Sequence, residues 1–506
     1  MKRFHVALLA PLCWVLATLA SAGESSPTTG PAPDAAMCAA IDRVFADFAL
    51  DAHIPGLVYG VVAGGRLVHV HGLGVQDLAS KRPVTPDSLF RIASMTKAFT
   101  ALTVLKLRDE GQLRLDEPAE TYVPEMRGWK SPTLDAPRIR VRDLLNHTAG
   151  FVTDDPWGDR QTPLAEPAFS RFLRDGVPFS STPETAMEYS NLGYAILGRI
   201  ITNVSGRPYA DEIGRTLFES LGMTSTGFVA GAAPVERRAQ GYRWQDNTWT
   251  LEETMGPGAF GAMGGVQTSA TDYAHWVSHL LSAWPPRDDA ETGPVRRATV
   301  RELAQGSNFP KLISPRPASP GLESCQRATA YGMGMYVTDD CEFGLVLSHA
   351  GGYPGYGSFV LLLPDQGVGL FAFTNRTYAV PTRPLYEAAA IMKNAGFLKD
   401  RPLPVSPDLA RAYGAVRAIY ERGDVGAGQG LLAMNFLIDR DAAGWAQDLA
   451  RLKQQVGDCD TQAPVVARGV LAGAFTWRCA TGRLSGRVLL APTQPPGIQS
   501  LSLSVK

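Results

Sequence analysis

The chain has 506 residues, more than one ordinary core accommodates, so two domains with extensions are expected. Hydrophobic residues make up 45% and charged residues 19%, the profile of a soluble globular protein. A formal net charge of −1 excludes the strongly basic field that nucleic acid or an anionic membrane surface would require, so neither is expected as a partner.

The chain opens "MKRFHVALLAPLCWVLATLASAG". Lys2 and Arg3 give a positive start, the run from Val6 to Ala20 is apolar, and Ala20-Ser21-Ala22 supplies a small-x-small cleavage pattern. Residues 1–22 therefore read as a secretory signal peptide, and the protein as exported, periplasmic or secreted. The apolar run is short for a bilayer span of ~20 residues, so no membrane span is expected after cleavage. Residues 23–37, rich in Gly, Ser, Pro and Thr, read as a flexible leader.

Next comes "GLVYGVVAGGRLVHVHGLGVQDL", an alternating pattern broken by Ala63-Gly64-Gly65, which predicts a β-hairpin. His69 and His71 alternate and so point to one face of the second strand. With no further ligand nearby in the sequence, they read as a packing feature rather than a metal site. "RIASMTKAFTALTVLKLRDEG" then predicts a helix that is apolar nearly all round and hence buried, with Gly111 as its stop.

The middle third, from about Asp116 to Leu281, mixes loops with helical spacing in "IRVRDLLNHTAGF" and "NLGYAILGRIITNVSG". After about Tyr331 short strands return, in "MGMYVTDD", "FGLVLSHAGG", "YGSFVLLLPDQG" and "VGLFAFTNR". "RPLYEAAAIMKNAGF" closes this part with a helix. The order predicts an antiparallel sheet built from both ends of residues 38–398, with a helical block between. Residues 399–408 read as a Pro-rich linker, and 409–506 as a separate small α+β domain without a catalytic motif. Six cysteines occur, of which Cys13 leaves with the signal. In an exported protein the close pairs Cys325/Cys341 and Cys459/Cys479 are the expected disulfides, leaving Cys38 over.

The serine of "SMTK" has an ordinary explanation, because helix starts often carry a serine cap. It also has a chemical one. Three residues along a helix is about one turn, which brings the Lys97 amine to the face carrying the Ser94 hydroxyl, a weak nucleophile that needs a nearby base. Two further stretches follow in order, Tyr189-Ser190-Asn191 in "AMEYSNLGYAILG" and His349-Ala350-Gly351 in "LSHAGGYPGYGSF". No Gly-x-Ser-x-Gly elbow is present, which disfavours an α/β-hydrolase, and His147 reads as a brace at a helix end rather than half of a Ser-His dyad.

The ordered set Ser-x-x-Lys, Tyr-x-Asn and His-x-Gly resembles the serine β-lactamase and penicillin-binding protein superfamily over roughly residues 40–395. It is most similar to the branch of class C β-lactamases, D,D-carboxypeptidases, D-aminopeptidases and family VIII esterases. "LLNHTAGF" and "GAMGGVQTSATDYAHW" are similar to further stretches of that branch. The resemblance implies an α+β, β-lactamase/D,D-peptidase-like fold with an antiparallel sheet flanked by helices and an all-helical block. It implies Ser94 as the acylated nucleophile, Lys97 as a neutral or proton-sharing partner that eases deprotonation of Ser94, Tyr189 as general base and Asn191 as the group that holds Lys97 and the substrate amide. His349, Ala350 and Gly351 would line the substrate-binding strand, and the backbone N–H groups of Ser94 and Gly352 would form the oxyanion hole. No metal or organic cofactor is implied. The implied substrate is a small molecule or peptide, such as a peptidoglycan fragment or a β-lactam.

Two departures bear on the substrate. The branch carries Lys-Thr-Gly or His-Thr-Gly at the third motif, so Ala350 removes a hydroxyl and His349 brings an imidazole that is largely neutral near pH 7. Pro183-Glu184 stands where Pro-Gly is usual, so the turn into Tyr189 is expected to differ. A D,D-peptidase or D-aminopeptidase comes first on this reading, an esterase second and a class C-type β-lactamase third. The alternative of another kind is a non-catalytic penicillin-binding, sensor or wall-binding protein. The C-terminal domain fits a cap over the cleft, a dimerisation unit or a wall contact equally well.

Overall fold

The computed structural model describes residues 33–154, 157–228, 234–316, 321 and 323–505. The signal peptide expected at 1–22 and most of the leader lie outside them. Helix α1 (Ala35–Asp51) begins within the stretch 23–37 read as leader. The correction has a local cause: the Asp34 carboxylate caps the first turn, and Met37, Ile41 and Phe45 repeat every four residues to give a buried stripe.

Strands β1 (Gly56–Ala63) and β2 (Arg66–Gly74) form the expected hairpin. Helix α2 (Thr96–Asp109) buries eleven of its residues, and Gly111, at φ +73°, follows its end. Of the helical block, α3 (Val141–Leu145), α4 (Asn191–Ser205), α5 (Gly261–Gly264) and α6 (Ala270–Leu281) bear on the site.

The chain then returns to the sheet through β3 (Asn308–Arg316), β4 (Cys325–Tyr331), β5 (Tyr336–Asp340), β6 (Gly344–Tyr353), β7 (Tyr356–Leu363) and β8 (Val368–Thr374), and closes with α7 (Thr382–Asn394). The eight strands run β2-β1-β8-β7-β6-β5-β4-β3, every neighbour antiparallel. Both ends of the segment thus build one sheet. β3 and β4 precede Tyr331, where strands were expected to resume, and the Cys325–Cys341 disulfide ties β4 to the turn after β5.

Strand alternation divides the core. Val58 and Val62 face the helical block with Phe99, Ile196 and Trp276, whereas Leu57, Tyr59 and Val61 face α1 and α7. β1, β7 and β8 are buried along their whole length because both faces are covered.

A separate C-terminal sheet domain follows. Its first helix, α8 (Pro407–Arg422), starts inside the stretch 399–408 read as linker, because Ser406 caps it by accepting from the Leu409 N–H at 3.1 Å. Helix α9 (Ala442–Val456) and strands β9 (Ala472–Cys479), β10 (Arg483–Leu490) and β11 (Ile498–Val505) close a core of their own around Ile419, Leu449 and Trp477. The Cys459–Cys479 disulfide links β9 to the short strand Cys459–Asp460 paired beside it, and Cys38 is free. Among the described residues no helix is long and apolar enough to cross a membrane.

Candidate active site

Ser94 lies in a single 3-10 turn, Ala93–Met95, that leads into α2. It is not the helix cap: Met95 occupies that position and offers no side-chain hydrogen bond. From Arg91 to Thr100 every residue is buried except Ser94. The turn is held with Ala93 at φ +48°, a left-handed conformation that a non-glycine residue adopts only when its surroundings impose it.

The surroundings are the edge of β6. A Cβ on Gly351 would stand 2.1 Å from Ser358 Oγ and 2.3 Å from the Ile92 carbonyl oxygen. Only glycine lets the strand approach the Ser94 turn this closely. β5 pairs with β6 only as far as Ser348, while β7 continues to Tyr353. From His349 onward β6 therefore has a strand neighbour on one side only, and its other edge faces the serine turn.

Lys97 is fully buried. Its Nζ donates to Ser94 Oγ at 3.1 Å, to Asn191 Oδ1 at 2.7 Å and to the Met263 carbonyl at 3.0 Å. An ammonium has three protons, and these three acceptors match them. The Met263 carbonyl comes from α5, whose Ala262 carbonyl in turn accepts from Thr100 Oγ1 at 2.7 Å. Sequence reasoning missed this backbone ligand, since a carbonyl leaves no residue-type signature, although the "GAMGG" stretch marked the place.

Asn191 is fixed from two sides. Asp154 accepts from the Asn191 and Leu192 N–H groups at 2.8 and 2.9 Å, placing a carboxylate at the positive end of α4. A Cβ on Gly158 would stand 2.7 Å from Asn191 Nδ2, so the short helix Trp157–Arg160 closes tightly over it. Asp154 and Gly158 were not among the residues singled out from sequence.

The Tyr189 ring lies 4.9 Å from Lys97 Nζ and 4.3 Å from the His147 ring. His147, at φ +62°, accepts the Ser190 N–H on Nδ1 at 3.2 Å. Burial and the Lys97 charge hold its pKa well below the ordinary value, so it is neutral and acts as a brace. Glu184 adopts φ +67° where glycine is usual. Its N–H donates to Thr148 at 2.8 Å, and its carboxylate meets Arg140 at 2.5 Å. The turn keeps its left-handed geometry with an ion pair in compensation.

His349 is buried, with Nε2 3.1 Å from the Tyr331 hydroxyl and Nδ1 2.7 Å from the Ala350 carbonyl. Burial, and after it the Lys97 charge, lower its pKa to about 3. The imidazole is thus a neutral part of the site floor. The Ala350 methyl packs toward the opposite sheet face, against the α1 and α7 core. Gly352 sits on the open edge beside Tyr378, whose hydroxyl donates to Asp159 at 3.1 Å. An apolar pocket of about 370 Å³, lined in part by Phe151, Val152, Trp157, Phe172 and Leu192, lies at the start of α4.

The structure thus brings together Ser94, Lys97, Tyr189, Asn191 and His349 from three separate parts of the chain. A nucleophile, a buried cation, a phenol and an open strand edge can together support acyl transfer.

The sequence model of the family described as Beta-lactamase matches residues 41–391. Protein flp of Staphylococcus aureus (strain N315) is 29% identical over 348 residues, which is 66% of this chain and 62% of that protein. The chain thus spans under two thirds of that relative's length. Penicillin-binding protein 4* of Bacillus subtilis (strain 168) is 25% identical over 376 residues, 71% of this chain and 76% of that protein. Among solved structures, the octameric penicillin-binding protein homologue from Pyrococcus abyssi superposes with a TM-score of 0.57 at 19% identity. It covers 92% of this chain and 98% of its own, a likeness of fold.

Proposed function

The chain belongs to the beta-lactamase family, and from that premise we propose that it is an exported serine hydrolase that cleaves an amide or ester through a covalent acyl-Ser94 intermediate. The observation that carries this reading is the buried Lys97 ammonium, hydrogen-bonded at once to Ser94 Oγ and Asn191 Oδ1. A cation beside Tyr189 favours negative charge on its phenol oxygen.

Tyr189 takes the Ser94 proton as Oγ bonds to the substrate carbonyl carbon. The negative charge on the carbonyl oxygen is met by the N–H groups of Ser94 and Gly352, each worth up to about 3–4 kcal/mol in the barrier. The bond to the leaving group then breaks, and the proton held by Tyr189 passes to the departing nitrogen or oxygen. Water, deprotonated by the same phenolate, cleaves the acyl-serine ester and restores the hydroxyl.

The third motif bears on the substrate. His349 is neutral and turned toward Tyr331, and Ala350 has no hydroxyl. A charge-assisted contact to a substrate carboxylate, worth about 1.5–3 kcal/mol, is absent from these two side chains. This favours D-aminopeptidase-like and esterase activities over efficient β-lactam hydrolysis, with a D,D-peptide as the next candidate. The apolar pocket beside α4 suits an apolar group on the acyl side. A relative named for penicillin binding makes penicillin a useful probe of the cleft.

The test is turnover of a panel of D-aminoacyl amides and activated esters by the mature protein and by Ser94→Ala. Activity lost in a variant with an unchanged circular dichroism spectrum is the expected result. Equal turnover by both proteins contradicts the assignment, and labelling of Ser94 without turnover points to a non-catalytic binding protein.

A further inference from the structure

The small net charge of the chain conceals a segregation. Residues 461–506 contain four arginines and one lysine but no aspartate or glutamate, so this last stretch is formally +5 and the rest of the chain −6. The stretch supplies strands β9, β10 and β11 of the C-terminal sheet. One face of that sheet packs on the domain's own helices through Phe475, Trp477, Leu484 and Val488. The alternate side chains form the other face, which is open to solvent.

The open face holds a groove of about 1090 Å³. Ala474 keeps its middle low, and Arg487 of β10 stands directly opposite Ala474 in the strand pairing. Arg468, just after the short strand Val466–Ala467 that pairs with β9, stands on one side. On the other, Ser500, Ser502 and Ser504 of β11 present a row of hydroxyls over roughly 13 Å. No carboxylate lines the groove, and among the described residues neither guanidinium has an ion pair or a side-chain hydrogen bond. Asp460 stands opposite Arg478 at the far end of β9 and does not line the groove.

We propose that this groove binds an anionic polysaccharide, a polymer whose carboxylate or phosphate groups meet Arg468 and Arg487 and whose hydroxyls meet the serine row. The guanidinium fork suits both anions. A concave face lined with hydroxyls fits an extended chain. A membrane fits it poorly, because Val466 and Leu489 are the exposed large apolar side chains in the groove and insertion needs more. A nucleic acid strand is disfavoured because the aromatic ring lining the groove, Phe475, is buried and offers no platform for a base. Such polysaccharides are met outside the cell, so the site depends on the export proposed above and not on acyl transfer at Ser94.

The test is binding of the mature protein to polygalacturonate, phosphomannan, neutral dextran and phosphatidylglycerol vesicles, at about 50 and about 200 mM salt. Binding to at least one of the two anionic polymers, weaker at the higher salt and absent with dextran, is expected. Polygalacturonate and phosphomannan distinguish a carboxylate ligand from a phosphate ligand. The Arg468→Ala/Arg487→Ala variant should bind at least about tenfold more weakly, because each bond lost is charge-assisted. Ser94→Ala should bind as the wild-type protein does. No binding to either anionic polymer, equal binding by the double variant, or tighter binding to the vesicles than to the polymers overturns the proposal. Acylation of Ser94 in the double variant keeps the two claims apart: it should be unchanged, and its loss would give these arginines a role in supporting the cleft instead.

Discussion

A histidine placed where a substrate-binding cation is usual becomes, in this fold, a neutral buried group. His349 illustrates how position overrides residue type: burial removes the charge, and the nearby Lys97 ammonium opposes its return. His147 is held neutral for the same reasons, and His279 is lowered to about 4 by burial. The sign of the effect on stability follows. The unfolded chain protonates each histidine near ~6.5, whereas the folded chain does so only well below that. Between these values the unfolded state binds more protons, so this stability is complete above about pH 6.5 and is lost as pH falls. The slope is up to about 1.4 kcal/mol per pH unit for each histidine. Urea unfolding at a series of pH values between about 5 and 7.5 should show it, and His279→Asn should remove about a third of the slope. A flat profile over that range would mean that these rings are solvated.

At the scale of elements, the site depends on two junctions where an element starts beside another. The 3-10 turn before α2 is pressed against β6 at Gly351, and the first turn of α4 is tied to Asp154. Replacing Asp154 by Ala removes the carboxylate that meets two N–H groups. It should cost about 1–2 kcal/mol of stability, and turnover should fall because Asn191 loses its anchor. The acylation rate and the urea midpoint of Asp154→Ala check this, and unchanged acylation at reduced stability would confine Asp154 to a structural role.

The same junctions explain what the sequence could and could not disclose. Ser94, Lys97, Tyr189 and Asn191 were legible because side-chain chemistry in a fixed order marks them. Asp154 and the Met263 carbonyl were not, because one acts only through backbone N–H groups and the other is itself backbone. Strands β7 and β8 were legible as apolar runs bounded by turn residues. β4, "CQRATAY", alternates exposed and half-buried positions and includes Arg327 and Gln326, so it gave no such signal. The boundaries at Ala35 and Pro407 moved because short caps, Asp34 and Ser406, start helices inside stretches whose composition looked loop-like.

At the scale of the whole molecule, the beta-lactamase-like unit and the C-terminal sheet domain each have a core and a disulfide. Removing Cys459–Cys479, which closes a loop of 20 residues, should cost about 3 kcal/mol on the loop-closure account. The loss should fall on the C-terminal domain. Calorimetry of the Cys459→Ala/Cys479→Ala variant should show one transition lowered and acylation of Ser94 retained. Lost acylation would mean that the C-terminal domain supports the cleft directly.

The chemistry at the cleft turns on one bond, between Ser94 Oγ and an acyl group. The most direct measurement is the intact mass of the mature protein after exposure to benzylpenicillin and to an activated ester, followed by peptide mapping, with Ser94→Ala in parallel. The account predicts a single acyl adduct on the peptide carrying Ser94 from at least one of the two reagents, absent from the variant. An adduct on another residue, or turnover that persists in Ser94→Ala, would contradict it.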